Sequence, residues 1–104
     1  MFVFLDGVSV AQDKKFIISG YVKDKKNGES LVGAVVSKKG TTQAVATNEY
    51  GFYSLSLPPG EHTIVVSIIG YQTITFSVDL QKNITKTFEM GEESQLLEEV
   101  VVTG

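Results

Sequence analysis

Few residues in this 104-residue chain combine a type and a spacing that could do chemistry. Ser54 and Ser56 could serve as nucleophiles only beside a general base, and neither has a histidine or carboxylate at a suggestive spacing. His62 is the single histidine, and the chain has no His-x-His or His-Glu-x-x-His spacing to gather metal ligands around it. It is therefore expected to pack at a strand start. Glu92-Glu93 and Glu98-Glu99 are carboxylate pairs, but adjacent residues on an acidic, mobile segment cannot hold the fixed separation that acid–base catalysis requires. Cysteine is absent, which removes disulfides, thiolate metal sites and thiol nucleophiles together. No enzymatic activity, no cofactor and no metal site are expected.

What remains is the chemistry of the backbone itself. The chain ends on Glu98, Glu99, Val100, Val101, Val102, Thr103 and Gly104, a β-branched run with no later segment in this sequence to pair it. Unpaired donors and acceptors on such a run are a template for adding to another sheet edge. Val101 would point one way and Val100 and Val102 the other, so side chains could select the partner. The lead-in is acidic: residues 89–104 hold five Glu and no Lys, whereas residues 1–88 hold nine Lys against seven Asp and Glu. That charge keeps the lead-in solvated. Arginine is absent, so the planar fork suited to phosphates and guanine edges is missing, and nucleic acid is not an expected partner. Lys14-Lys15, Lys25-Lys26 and Lys38-Lys39 fall at turns or strand ends, where charge discourages edge aggregation.

The elements that must hold this tail come earlier in the chain. With 42% hydrophobic residues the length supports one core and one domain. Residues 1–15 are expected to be a signal-peptide remnant or a disordered leader. Phe2-Val3-Phe4-Leu5 and Val8-Ser9-Val10-Ala11 resemble the end of an export signal with cleavage before Gln12, although Asp6 interrupts the apolar run. Residues 16–90 alternate with period two. Strands are expected over 16–23 (Ile18, Gly20 and Val22 on one face), 33–38 (Ala34 and Val36 inward), 42–47 and 52–57 (Tyr53, Leu55 and Leu57 inward). Three more are expected over 61–69, 72–80 and 84–90. The 61–69 run is apolar on both faces, which places it centrally. Asn27-Gly28 and Pro58-Pro59-Gly60 mark sharp reversals. Seven such strands without a helical period indicate an all-β, antiparallel, Greek-key two-sheet sandwich, followed by an acidic tail over 91–104. Tyr21, Tyr50 and Tyr71 are expected in core and turn packing, the other reading being an exposed platform for sugar.

Five segments then follow one pattern in order: Ser19-Gly20-Tyr21-Val22-Lys23-Asp24, Leu31-Val32-Gly33-Ala34-Val35-Val36, Thr47-Asn48-Glu49-Tyr50-Gly51-Phe52-Tyr53, Pro59-Gly60-Glu61-His62-Thr63-Ile64 and Ile69-Gly70-Tyr71. The pattern resembles the carboxypeptidase regulatory-like domain, a seven-stranded transthyretin-like sandwich. Gly20 and Gly33 are read as allowing close backbone approach, and Asn48 stands where that family often has Asp. The tail from Leu96-Leu97 to Gly104 resembles the segment joining such a domain to the plug of SusC-like TonB-dependent outer-membrane receptors. The resemblance implies a periplasmic N-terminal extension of a nutrient receptor, glycans being the expected cargo. Its TonB box would be Glu98 to Gly104. It further implies that the TonB C-terminal domain adds to this box as a strand, that a plug and barrel lie beyond Gly104, and that a second periplasmic protein is a possible partner. Two other readings fit the sandwich: a non-catalytic binding or stalk module of a cell-surface protein, and an accessory domain of a metallocarboxypeptidase.

Overall fold

A computed structural model of the chain describes residues 14–93. The leader read over residues 1–15 falls outside these described residues except for Lys14 and Lys15, and the reading of 98–104 as a TonB-box strand falls outside them altogether. Among them the chain forms strands only. These are β1 (Phe16–Asp24), β2 (Val35–Lys38), β3 (Ala44–Ala46), β4 (Phe52–Leu57), β5 (Gly60–Ser67), β6 (Ile74–Leu80), β7 (Ile84–Thr85) and β8 (Phe88–Met90). One sheet has the order β4-β1-β7, with β8 also paired to β1; the other has the order β3-β2-β5-β6. The all-β sandwich expected from the period-two pattern is the fold observed. Its core lies between the sheets, where Ile18, Val22, Val36, Leu57, Ile64, Val66, Leu80 and Met90 are excluded from solvent. These side chains stabilise the domain by about 1.5 to 3 kcal/mol each, the usual return for removing a large apolar side chain from water.

The alternation determines the faces. On β1 and β4 every residue assigned inward is buried, while their neighbours Ile17, Tyr21, Ser54 and Ser56 are exposed. β5 is central in its sheet, paired to β2 on one side and β6 on the other. Its second face is covered only in part: Val65 is half-buried, and Ile69, just past the strand, is 96% exposed. Pro58 and Pro59, which cannot donate to a ladder, end β4 in the first sheet and let Gly60 begin β5 in the second. The strand expected over 42–47 shortens to Ala44–Ala46, an edge strand, because Thr47 is taken by another task. Its hydroxyl donates to the Leu31 carbonyl at 2.6 Å and accepts from the Ala34 amide at 2.9 Å. Those bonds hold the 31–34 loop at both ends. Gly33 has no close neighbour; it is required because φ is +82° there, so its role is backbone conformation and not the close approach expected of it.

The closing strand, expected as one piece over 84–90, is divided into β7 and β8. Both run parallel to β1, pairing Ile18 with Ile84 and Val22 with Phe88. The register is continuous across the break, so Lys86 lies opposite Gly20 in the same frame. The Lys86 amide donates to the Ser19 carbonyl at 2.8 Å. Its own carbonyl turns toward the core, where the Tyr53 hydroxyl donates to it at 2.6 Å. Burial pushes the Tyr53 hydroxyl up to about 12, so it stays a donor at any ordinary pH. Gly20 is the residue that permits this arrangement. A Cβ there would overlap the Lys86 carbonyl group, so the expectation of close approach holds at this glycine.

Candidate functional site

The described chain leaves the sandwich at one end, and a network of short-range bonds fixes that departure. β8 continues β1's edge as far as Met90, opposite Asp24, and the Lys25 amide donates to the Met90 carbonyl at 2.9 Å. Beyond it, the Gln72 amide donates to the Gly91 carbonyl at 2.8 Å and the Glu93 amide to the Gly70 carbonyl at 2.9 Å, with Tyr71 and Glu92 bridged between them. The loop between β5 and β6 thus holds the chain through Glu93.

Asp24 organises the same end. Its carboxylate accepts from the amides of Lys26 at 2.7 Å and Asn27 at 3.2 Å, closing the β1 turn, and from the Tyr71 hydroxyl at 2.7 Å. The turn chemistry follows from short polar side chains bonding to backbone two or three residues on. The Tyr71 bond is what most strongly holds the Asp24 carboxyl below its ordinary value of 3.8, reinforced by the two amides and the Lys26 charge against the opposing effect of burial. The same bond pushes the Tyr71 hydroxyl up to about 12. Because the folded-state value for Asp24 is depressed, its contribution to stability is present above 3.8 and is lost as pH falls through the lowered value. Tyr71→Phe is therefore expected to have a lower thermal midpoint than the parent chain at pH 7, with the gap narrowing well below pH 3.8. Melting curves at the two pH values check this; a gap that stays constant would show that the stabilisation from the Tyr71 hydroxyl does not depend on Asp24 being ionised.

The other residues singled out in the sequence are dispersed. Ser54 and Ser56 face outward from β4, opposite Ser19 and Ile17. His62 is buried, and its Nε2 donates to the Pro58 carbonyl at 2.7 Å, the only arrangement in which this pair bonds. Its Nδ1 is buried and has no partner among the described residues. Among the described residues no group of three His, Cys, Asp or Glu side chains converges as a metal site would require. Each of the three tyrosines has its own setting. Tyr21 meets Phe52 edge-on at 5.4 Å, Tyr50 is 65% exposed on the turn that the Asn48 carboxamide oxygen organises, and Tyr71 serves Asp24. They form no shared platform. Asn48 accepts from the amides of Tyr50 at 2.8 Å and Phe52 at 3.0 Å, as its place in the pattern implied.

A feature not anticipated from the sequence lies beside the exit. Val32, Val35, Ile68 and Ile69 line an apolar groove at the end of the second sheet. Val32 is 57% exposed and Ile69 96%. The period-two reading places Ile68 and Ile69 inside the 61–69 strand, whereas β5 ends at Ser67, and so hides that they meet Val32 and Val35 at the end of the sheet.

Over 102 residues, 98% of the chain, the sequence is 38% identical to the TonB-dependent receptor SusC of Bacteroides thetaiotaomicron. Over 79 residues, 76% of the chain, it is 38% identical to a TonB-dependent receptor of Formosa agariphila. The chain spans only 9% and 7% of the length of these two relatives. Among solved structures, a type II cohesin–X-dockerin complex from Acetivibrio cellulolyticus superposes with a TM-score of 0.65, covering 74% of this chain and 58% of that one at 18% identity. That likeness concerns the fold alone. The model of the CarboxypepD_reg-like domain matches residues 18–102, and with that span the chain belongs to the CarboxypepD_reg-like domain family.

Proposed function

We propose that this chain is the periplasmic N-terminal domain of a TonB-dependent outer-membrane receptor for nutrients, glycans among them, and that it presents residues 98–104 as a strand to the TonB C-terminal domain. The observation that carries the reading is the similarity to SusC-type receptors over 98% of the chain, which reaches into the valine-rich tail. Plug and barrel of the same receptor are then its covalent neighbours, and a second periplasmic protein is a further candidate partner. The leader over 1–15 fits export to that compartment.

The proposed coupling is mechanical. Glu93 is the last described residue tied to the sandwich, through its amide bond to Gly70. Residues 94–97, when extended at about 3.3 Å per residue, let the first residue of the box, five residues beyond Glu93, lie up to roughly 16 Å from that anchor. Five ladder bonds at about 0.5 to 1.5 kcal/mol net each give the strand a measurable affinity, and the alternation of Val101 against Val100 and Val102 gives it selectivity. The sandwich itself supplies position. Deleting residues 99–103 is expected to abolish binding to the TonB C-terminal domain in a calorimetric titration while leaving the β-sheet circular dichroism unchanged. Undiminished affinity in the deleted chain would refute the assignment.

A further inference from the structure

We propose that the apolar groove of Val32, Val35, Ile68 and Ile69 receives Leu96 and Leu97 of the same chain, holding the adjoining strand segment against the sandwich until a partner draws it away. This rests on the reading of residues 98–104 as a partner-binding strand, whose availability the docking would regulate.

Three observations on the described part of the chain lead there. The first is exposure: Ile69 at 96% and Val32 at 57% are branched aliphatic side chains left in water beside each other, with Val35 at 39% completing the groove floor. The second is rigidity. Leu31 and Ala34, on either side of Val32 and Gly33, are buried, and Thr47 bonds to both, so the loop cannot fold Val32 inward. On the other wall the Tyr71 amide donates to the Ile68 carbonyl at 3.1 Å, which fixes Ile69 at the tip of its turn. The third is where the chain goes next. The Glu93 amide sits on the carbonyl of Gly70, the residue after Ile69. From that anchor Leu96 and Leu97 are three and four residues on, within about 10 to 13 Å of extended chain.

The sequence around those leucines suits the groove. Ser94-Gln95 before them and Glu98-Glu99 after them are polar, so Leu96-Leu97 is the one aliphatic pair between the anchor and the box. The groove is lined by uncharged residues, so the leucines can enter while the glutamates stay in water. A tether this short gives an effective concentration in the millimolar range, enough for two side chains to dock without a large intrinsic affinity. The box begins at the residue after Leu97. Docking therefore restrains the first ladder positions, and the apparent affinity for a strand-adding partner falls in proportion to the docked fraction. If roughly four-fifths of molecules are docked, release strengthens binding about fivefold.

The test uses the full 104-residue chain with methyl-labelled Ile, Leu and Val. Nuclear Overhauser contacts from Leu96 or Leu97 to Ile69 and Val32, unchanged on dilution, are expected. Ile69→Ser should remove them and tighten binding of the TonB C-terminal domain about fivefold. Since Ile69 is almost wholly exposed, the substitution leaves the core intact. The reciprocal variant L96S/L97S should shift the Val32, Val35 and Ile69 methyl signals and give the same gain. Absence of the contacts, contacts that fade on dilution and so belong to a second copy, or an unchanged affinity in both variants would each overturn the docking. If the parent chain does not bind the TonB domain at all, the strand-addition reading falls, and the methyl contacts alone then decide whether the groove is occupied.

Discussion

Replacing Gly20 by valine is expected to abolish cooperative folding of the sandwich. Gly20 lies on the inward face of β1 between two paired neighbours, with Tyr53 opposite on β4 and Lys86 opposite on the closing strand. A Cβ at this position would occupy the same space as the Lys86 carbonyl. The obstruction is backbone, which cannot swing aside as a side chain would. The Lys86 carbonyl is also committed: it takes the hydrogen bond of the buried Tyr53 hydroxyl, and displacing it strands both groups at a cost of about 1 to 3 kcal/mol. Moving the strand would further break the ladder on both sides of the interruption. Together these losses belong in the exceptional class above about 4 kcal/mol, comparable to the whole stability of a domain this small. Denaturant titration followed by near-ultraviolet circular dichroism measures the outcome. A cooperative transition at the parent midpoint would mean that β7 and β8 separate from β1 at little cost, and that the Lys86 node is incidental.

How much of this was legible in the sequence depended on the range of the cause. Period two is a property of neighbouring residues, so the inward sets Ile18-Gly20-Val22 and Tyr53-Leu55-Leu57 and the breaks at Asn27-Gly28 and Pro58-Pro59 could be read directly. The direction of the last strand could not. Parallel pairing of β7 and β8 with β1 joins residues 66 apart, and nothing local distinguishes a parallel partner from an antiparallel one. The same holds for Tyr71, whose hydroxyl seeks a carboxylate 47 residues away. Gly33 shows a different limit: a glycine signals either close contact or a positive φ, and sequence does not say which. The apolar groove was missed because Ile69 continues the apolar run of β5 in sequence, yet the strand stops at Ser67 and the turn carries Ile69 into solvent. The proposed binding strand, in contrast, was visible only in the sequence, as residues 98–104 lie outside the described part of the chain.

Ile64→Ala separates the scaffold from the proposed binding element. Ile64 is wholly buried on the central strand β5, between Lys38 of β2 and Phe76 of β6. Truncation there removes three carbons from a site flanked by ladders on both sides, which leaves little freedom for the surroundings to collapse. A loss of about 2 to 5 kcal/mol is expected, near the upper end because the two sheets are held apart by their other core residues. Val65→Ala, one residue on and half-buried on the opposite face, serves as the control and should cost under about 1 kcal/mol. Denaturant midpoints give both numbers, and equal losses would show that the two faces of β5 are not distinguished as the alternation requires. If strand addition resides in residues 98–104 alone, Ile64→Ala warmed above its own midpoint should still bind the TonB C-terminal domain, because an extended segment needs no folded neighbour to form a ladder. It should bind somewhat more tightly than the folded parent, since unfolding also dismantles the groove of Val32, Val35 and Ile69 that is proposed to hold Leu96 and Leu97. Binding that disappeared together with the fold would instead assign recognition to the sandwich surface, and the tail would then serve only as a covalent connector.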